Sequence, residues 1–214
     1  SSITENTRAA YPIDYIENAL IPCYTTHPNN IIFLTCDAFG ILPPVSKLDN
    51  KQTIYHFISG YTSKMAGTED GITEPTSTFS ACYGEAFIVY HPYKYAKMLA
   101  DKIKAHNVSV WLVNTGWIGG GYGEGKRIPI SYTRKIVNCI NNNKITGSYT
   151  KMPIFNIDIP NNVSDISTDI LFPWEKWESK TRYMDCVTKL AKQFSDNFKK
   201  YKLPDIAELG GPLL

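Results

Sequence analysis

The sequence offers little cysteine chemistry. Its five cysteines, Cys23, Cys36, Cys82, Cys139 and Cys186, are scattered and odd in number. No pair has zinc-ligand spacing or forms a C-x-x-C, which argues against a structural zinc site and a disulfide framework. The pattern is that of reduced thiols in a cytoplasmic protein. The four histidines, His27, His56, His91 and His106, show no metal-ligand grouping either. No apolar run approaches the roughly 20 residues of a membrane span. No secretory leader is visible, so Asn107-Val108-Ser109 and Asn162-Val163-Ser164 carry no weight as glycosylation sites. A formal charge of +2 is too small to point to nucleic acid or an anionic membrane surface. Internal repeats and a clear linker are also missing, so residues 1–214 read as one domain.

What remains is enough to build a core. At 214 residues with ordinary apolar and charged fractions, the chain has the composition of a globular protein. Ile31-Ile32-Phe33-Leu34, flanked by Pro and Asn on one side and Gly40 on the other, reads as a buried strand. Asp49 followed by Gln52 suggests a helix start, with Ile54, Phe57, Ile58 and Tyr61 on one face. Gly60 weakens that helix. Ala86-Phe87-Ile88-Val89-Tyr90 predicts a second strand. Pro92 opens a helix striped by Tyr95, Met98, Leu99 and Ile103. Val108–Val113 predicts a third strand. Ser131 is a candidate cap for a helix burying Ile136, Val137 and Ile140. Residues 144–180 look irregular, and a long helix is expected from about Thr181 to Tyr201, burying Tyr183, Val187, Leu190, Phe194 and Phe198. Helices and strands alternate, which predicts an α/β (mixed) fold.

Two stretches lack any helix or strand period. Residues 66–80 are rich in Gly, Thr and acid and read as a long surface loop, a kind of segment that is usually functional or disordered. Gly120-Gly121-Tyr122-Gly123-Glu124-Gly125-Lys126-Arg127 nearly fits the phosphate-loop pattern G-x-x-x-x-G-K-[ST]. It fails where Arg127 replaces the magnesium-binding hydroxyl, and Glu124 would set a carboxylate beside the phosphates. On the residues alone, a solvated hairpin tip is the simpler reading. The competing one is a mobile loop in which Arg127, the apolar flank Ile128-Pro129-Ile130 and the Thr133 hydroxyl hold a flat heterocycle.

Several segments together go further. They are Glu5-Asn6-Thr7-Arg8 with Tyr11-Pro12; Phe33-Leu34-Thr35-Cys36-Asp37-Ala38-Phe39-Gly40 with Leu42-Pro43-Pro44-Val45; Tyr55-His56-Phe57 with Ser59-Gly60; Ala66-Gly67-Thr68-Glu69 through Glu74-Pro75-Thr76 to Phe79-Ser80-Ala81-Cys82; Asn114-Thr115-Gly116-Trp117; and Gly125-Lys126-Arg127-Ile128. In this order, and over nearly the whole chain, they resemble the C-terminal part of ATP-dependent phosphoenolpyruvate carboxykinases.

The resemblance implies the C-terminal nucleotide-binding lobe of that fold, and an enzyme converting oxaloacetate and ATP to phosphoenolpyruvate, CO2 and ADP in gluconeogenesis. It puts Arg8 at the family's arginine for substrate and transferring phosphate, a task suited to a permanently charged, bidentate group. Arg127, the Ile128 backbone and Thr133 fall at the base and ribose end of ATP. The 66–80 segment corresponds to a mobile lid that includes Gly67, Thr68, Glu69, Gly71, Thr73 and Glu74. Asp70 and Pro129 depart from the family's pattern, and no role is carried over to them. Asp37 and His56 read as structural: a carboxylate after a strand more often caps amides than does chemistry. The family's phosphate loop and its Mg2+- and Mn2+-binding residues belong to an upstream half, the expected partner of this chain. With Ser1 in place of a start methionine, a fragment without metal-dependent turnover is the expectation. The alternative is a non-catalytic nucleotide-binding or assembly module.

Overall fold

A computed structural model describes residues 9–66 and 71–214. Strand β1 (Asn30–Thr35) runs parallel to β5 (Ser109–Asn114) in register from Asn30–Ser109 to Thr35–Asn114. These are two of the expected strands, and their apolar, β-branched sequences suit a sheet covered on its faces. Strand β2 (Val45–Leu48) was not foreseen. It lies antiparallel on the other side of β5.

Helix α1 (Asn50–Ser59) begins in the expected capping box. Asp49 accepts the amides of Lys51 and Gln52, each at 2.8 Å, and Gln52 Oε1 accepts the Asp49 amide at 3.0 Å. Its buried face differs from the expected one. Tyr55, His56 and Ile58 are buried, whereas Ile54 and Phe57 are only half-buried. Gly60 does not weaken the helix; it ends it, as a left-handed cap with φ +52°. Tyr61 consequently lies beyond the helix in β3 (Tyr61–Lys64), which pairs antiparallel with β4 (Thr76–Phe79). The expected 66–80 loop is therefore shorter: its last residues form one arm of a hairpin.

The predicted strand at 86–90 does not form. Apart from the half-buried Ile88 the run is exposed, with Phe87 at 90% and Val89 at 88%, and no partner strand faces it among the described residues. Apolar sequence alone does not make a strand; a ladder partner is also needed. Helix α2 (Pro92–His106) follows, with Ala96 and Ile103 buried and Met98 exposed. After β5 come the two-residue strands β6 (Trp117–Ile118) and β7 (Lys126–Arg127), then α3 (Ile130–Asn141). Pro129, not Ser131, stands at its N-cap, and Ile136, Cys139 and Ile140 are buried on it.

Residues 144–180 are less irregular than expected. Strands β8 (Tyr149–Lys151) and β9 (Asp158–Pro160) extend the main sheet to the order β1-β5-β2-β9-β8, and the short α4 (Thr168–Leu171) follows. Helix α5 (Lys180–Lys199), capped by Ser179, buries Tyr183, Val187, Leu190, Phe194 and Phe198, the stripe read from the sequence. A last helix, α6 (Pro204–Gly210), packs on α1. One apolar cluster joins the sheet to these helices. All five cysteines are free, and no helix among the described residues is long and apolar enough to cross a membrane.

Candidate nucleotide site at the carboxyl ends of β1 and β5

In an open α/β sheet, ligands bind where parallel strands deliver their carboxyl ends. Here the two parallel strands end at Thr35 and Asn114, and the residues after them interlock. Asn114 Oδ1 accepts the amides of Asp37 at 2.9 Å and Gly116 at 2.8 Å, while Asn114 Nδ2 donates to the Leu42 carbonyl at 2.8 Å. The Asp37 carboxylate is fully buried. It accepts the amides of Phe39 at 3.1 Å, Ile41 at 2.6 Å and Leu42 at 2.8 Å, and the Tyr61 hydroxyl at 3.0 Å. Burial pushes the Asp37 carboxyl above its ordinary range, against the lowering effect of those amides. Asp37 thus caps backbone, as its place after a strand suggested.

The glycine-rich segment turns the β6–β7 hairpin. Three of its amides donate to protein carbonyls: Tyr122 to Ala38 at 2.8 Å, Glu124 to Gly121 at 3.1 Å and Gly125 to Gly121 at 2.7 Å. A phosphate cradle needs such amides aimed at an anion. Other contacts also reach the loop. Arg182 Nη2 sits 2.7 Å from both carboxylate oxygens of Glu124. Gly40, at φ +70°, lies so close that a Cβ there would stand 2.1 Å from the Gly120 carbonyl oxygen.

The hairpin presents Arg127 directly across from Trp117. The guanidinium carbon lies over the buried Trp117 ring, 5.3 Å from its centroid. Its Nε donates to the Thr115 carbonyl at 3.2 Å, and Nη2 is 4.0 Å from Cys36 Sγ. The side chain remains exposed. A cation held against an aromatic face while staying open to solvent is a platform for a flat ligand. Ile128 follows at once, but its side chain is buried and its amide donates to the Gly116 carbonyl at 2.8 Å. Its contribution to a ligand is thereby narrowed to the backbone carbonyl.

Thr133 stands on the first turn of α3 and lines a shallow groove with Ile130, Arg134 and Val137; neither Arg127 nor Ile128 borders that groove. The structure therefore joins Arg127 to Ile128 and sets Thr133 one step apart. Gly71, Thr73 and Glu74 are exposed between β3 and β4. Arg8, Gly67, Thr68 and Glu69 lie outside the described residues. No group of three or more His, Cys, Asp or Glu side chains able to hold a metal ion occurs among the described residues.

Sequence reasoning assigned no role to Asn114, Trp117 or Tyr61. Asn114 and Trp117 were visible inside a motif, but their purpose depends on the β6–β7 register and on the meeting of two strand ends. Tyr61 was hidden by its placement on the preceding helix.

An exposed guanidinium set against an indole, beyond the carboxyl ends of two parallel strands, is the candidate site of this α/β protein. Comparison with known proteins then gives the family. Residues 1–169 match the family model for phosphoenolpyruvate carboxykinase. The chain is 53% identical to the phosphoenolpyruvate carboxykinase (ATP) of Dictyostelium discoideum, over 100% of this chain and 38% of that protein. It is 52% identical to the Zea mays phosphoenolpyruvate carboxykinase (ATP), over 100% of this chain and 33% of that one. With phosphoenolpyruvate carboxykinase (ATP) 2 of Salinibacter ruber the identity is 51%, over 100% of this chain and 41% of that protein. The chain belongs to the phosphoenolpyruvate carboxykinase family, and it spans between 33% and 41% of the length of these relatives.

Proposed function

We propose that the chain forms the C-terminal portion of an enzyme that converts oxaloacetate and ATP to phosphoenolpyruvate, CO2 and ADP. In this reading it supplies the adenine and ribose end of the nucleotide site through Arg127, Ile128 and Thr133. Arg8 supplies charge for substrate and the transferring phosphate, and the segment between β3 and β4 supplies the lid. The observation that carries the proposal is the Arg127 guanidinium, set over Trp117 and tied to the Thr115 carbonyl in a chain of this family.

The residue chemistry fits such a task. Adenine is flat and polarisable, and a guanidinium held against Trp117 can stack on it with little ordering cost. Its exocyclic amine needs an acceptor, and the Ile128 carbonyl is the backbone group that residue can offer. The enolate left by decarboxylation is protonated to pyruvate if water reaches it, which gives a reason for a covering segment over the site. Mg2+ and Mn2+, which the resemblance implies for the complete enzyme, have no donor cluster among the described residues. On the resemblance, we assign them, with the phosphate loop, to the upstream half of the same enzyme, and route no step through them. A second reading, an assembly module, draws on the exposed Phe87 and Val89. The first reading accommodates the same side chains as a surface that the rest of the enzyme covers.

The test is Arg127→Ala in the full-length enzyme. The KM for ATP is expected to rise about tenfold, corresponding to about 1.4 kcal/mol of lost binding, with the KM for oxaloacetate little changed. An unchanged dependence on ATP removes Arg127 from the site.

A further inference from the structure

We propose that His27 and His106 form a pH-sensitive clasp that holds residues 9–28 to the carboxyl end of α2, closed while the pair carries at most one proton and opened when both imidazoles are charged. The clasp lies apart from the nucleotide site. His106 ends α2 and His27 stands just before β1, at the amino ends of the parallel strands, where Asn30 pairs with Ser109.

Residues 9–28 form an arm with few ties to the body. Apart from Ala19 they are exposed. Among the described residues their backbone hydrogen bonds close within the arm: Tyr15 donates to Pro12 at 3.1 Å, Ile16 to Ile13 and Ala19 to Ile16 at 3.0 Å, and Tyr24 to Pro22 at 2.7 Å. The sheet takes hold only at Asn29, whose carbonyl accepts the Ser109 amide at 3.0 Å. Before that point the arm meets α2 through a ring contact. His27 and His106 stack at 3.5 Å between centroids, with 24° between their planes. The turn that carries His106 is closed: α2 ends in a left-handed cap at Asn107, φ +51°, and Asn107 and Val108 both donate to the Ile103 carbonyl.

A proton on one ring leaves the other neutral, and the stack persists. A second proton sets like charges face to face, which disfavours it. The surroundings add to that cost. Loss of solvent around the ring, then His27, then Lys102 lower the pKa of His106 from its ordinary 6.5. Asp101 of α2 is engaged with Lys97 at 3.0 Å, and Lys104 is the other charged residue near the helix end. Residues 25–35 carry no charged side chain besides His27. The end of α3 reaches this corner through Asn143 and the Ile140 carbonyl, both uncharged, which meet Asn30. The last carbonyls of α2 act the other way and favour a cation. Among the described residues no third His, Cys, Asp or Glu able to hold a metal joins the pair, and a proton is the ligand it fits. Because the folded value lies below the ordinary one, protons bind more readily to the open form. The clasp is therefore closed above about pH 6.5 and is lost as pH falls below it. In sequence the arm spans Arg8 to β1, so opening the clasp lengthens the free tether between them.

The rings and the arm can be followed separately in the full-length enzyme. The His106 ring-proton NMR signal, identified by its loss in His106→Gln, should titrate about half a pH unit or more higher in His27→Gln than in the parent. A fluorophore on the exposed Cys23, with Cys23→Ser as the blank, should lose about a third or more of its anisotropy between pH 7.5 and pH 5.5 in the parent. In His27→Gln and His106→Gln the anisotropy should be low at both pH values. Both histidines are exposed, so neither change empties the core. An unchanged His106 titration in His27→Gln overturns the pairing. Equal anisotropy at the two pH values in the parent overturns the clasp even where the titrations are coupled, and so does a pH response that survives in His27→Gln.

Discussion

The β3–β4 and β6–β7 hairpins both rest on residues 35–38, but different forces hold them. The β6–β7 hairpin is fixed largely by backbone. Trp117 and Tyr122 donate to the carbonyls of Asp37 and Ala38, Gly40 meets Gly120, and a surface ion pair joins Glu124 to Arg182. The β3–β4 hairpin is rooted in aromatic packing. Tyr61 and Phe79 pack with tilted rings at 5.4 Å between centroids, and both meet Phe194 of α5, at 4.9 and 5.1 Å. At its far end no described residue stands within 4 Å of where a Gly71 Cβ would be. One hairpin holds a side chain at a set place. The other is rooted among aromatic rings.

That contrast can be broken most directly at Phe194. Phe194→Ala should cost about 3–5 kcal/mol in urea unfolding, because it empties the centre of a ring cluster that also includes Tyr55, His56 and Phe155. A loss near that of a surface substitution would show that polar ties, not aromatics, root β3–β4. His56 gives a sharper version of the same test. Burial lowers its pKa from 6.5 to about 4. Its folded pKa lies below the unfolded value, so between these two pH values the unfolded chain binds more protons. Stability therefore rises with pH through this window and is lost as pH falls from about 6.5 to 4, by up to about 3 kcal/mol. Unfolding free energies for the parent and His56→Gln at pH 7 and pH 4.5 should show a smaller acid loss in the variant; equal losses would place the acid sensitivity elsewhere. The smallest effect is expected at the other hairpin. Arg182→Ala removes an ion pair whose side chains are 61% and 54% exposed, and should cost no more than an ordinary surface substitution. A larger cost would mean that the backbone contacts do not hold the glycine loop by themselves.

Much of the framework was legible because local chemistry and tertiary packing agree there. The Asp49–Gln52 box, Pro92 at the start of α2 and the stripe on α5 each have a purely local signature. The misses share a cause: they depend on partners distant in sequence. Val45–Leu48 is too short to announce a strand, and it exists because β5 and β9 lie on either side of it. Ala86–Tyr90 has strand composition but no ladder to join. Tyr61 changed element because Gly60 took a left-handed turn. At the site, Arg127 could be picked out through a motif, while the ring beneath it required the pairing Trp117–Arg127 across a two-residue ladder. The glycine loop was read as a near miss of the phosphate pattern, and it forms a hairpin in which the amides of Tyr122, Glu124 and Gly125 are committed to the protein's own carbonyls.

That commitment sets a limit for engineering. On the proposed placement of the base at Arg127, a change of base preference would be sought in the side chains from Arg127 onward, not in the length of the turn before it. An insertion among the glycines would pull Tyr122 from Ala38 and Glu124 from Arg182, and would shift Trp117 and Arg127 out of register. The turn acts as a fixed ruler behind an exchangeable tip.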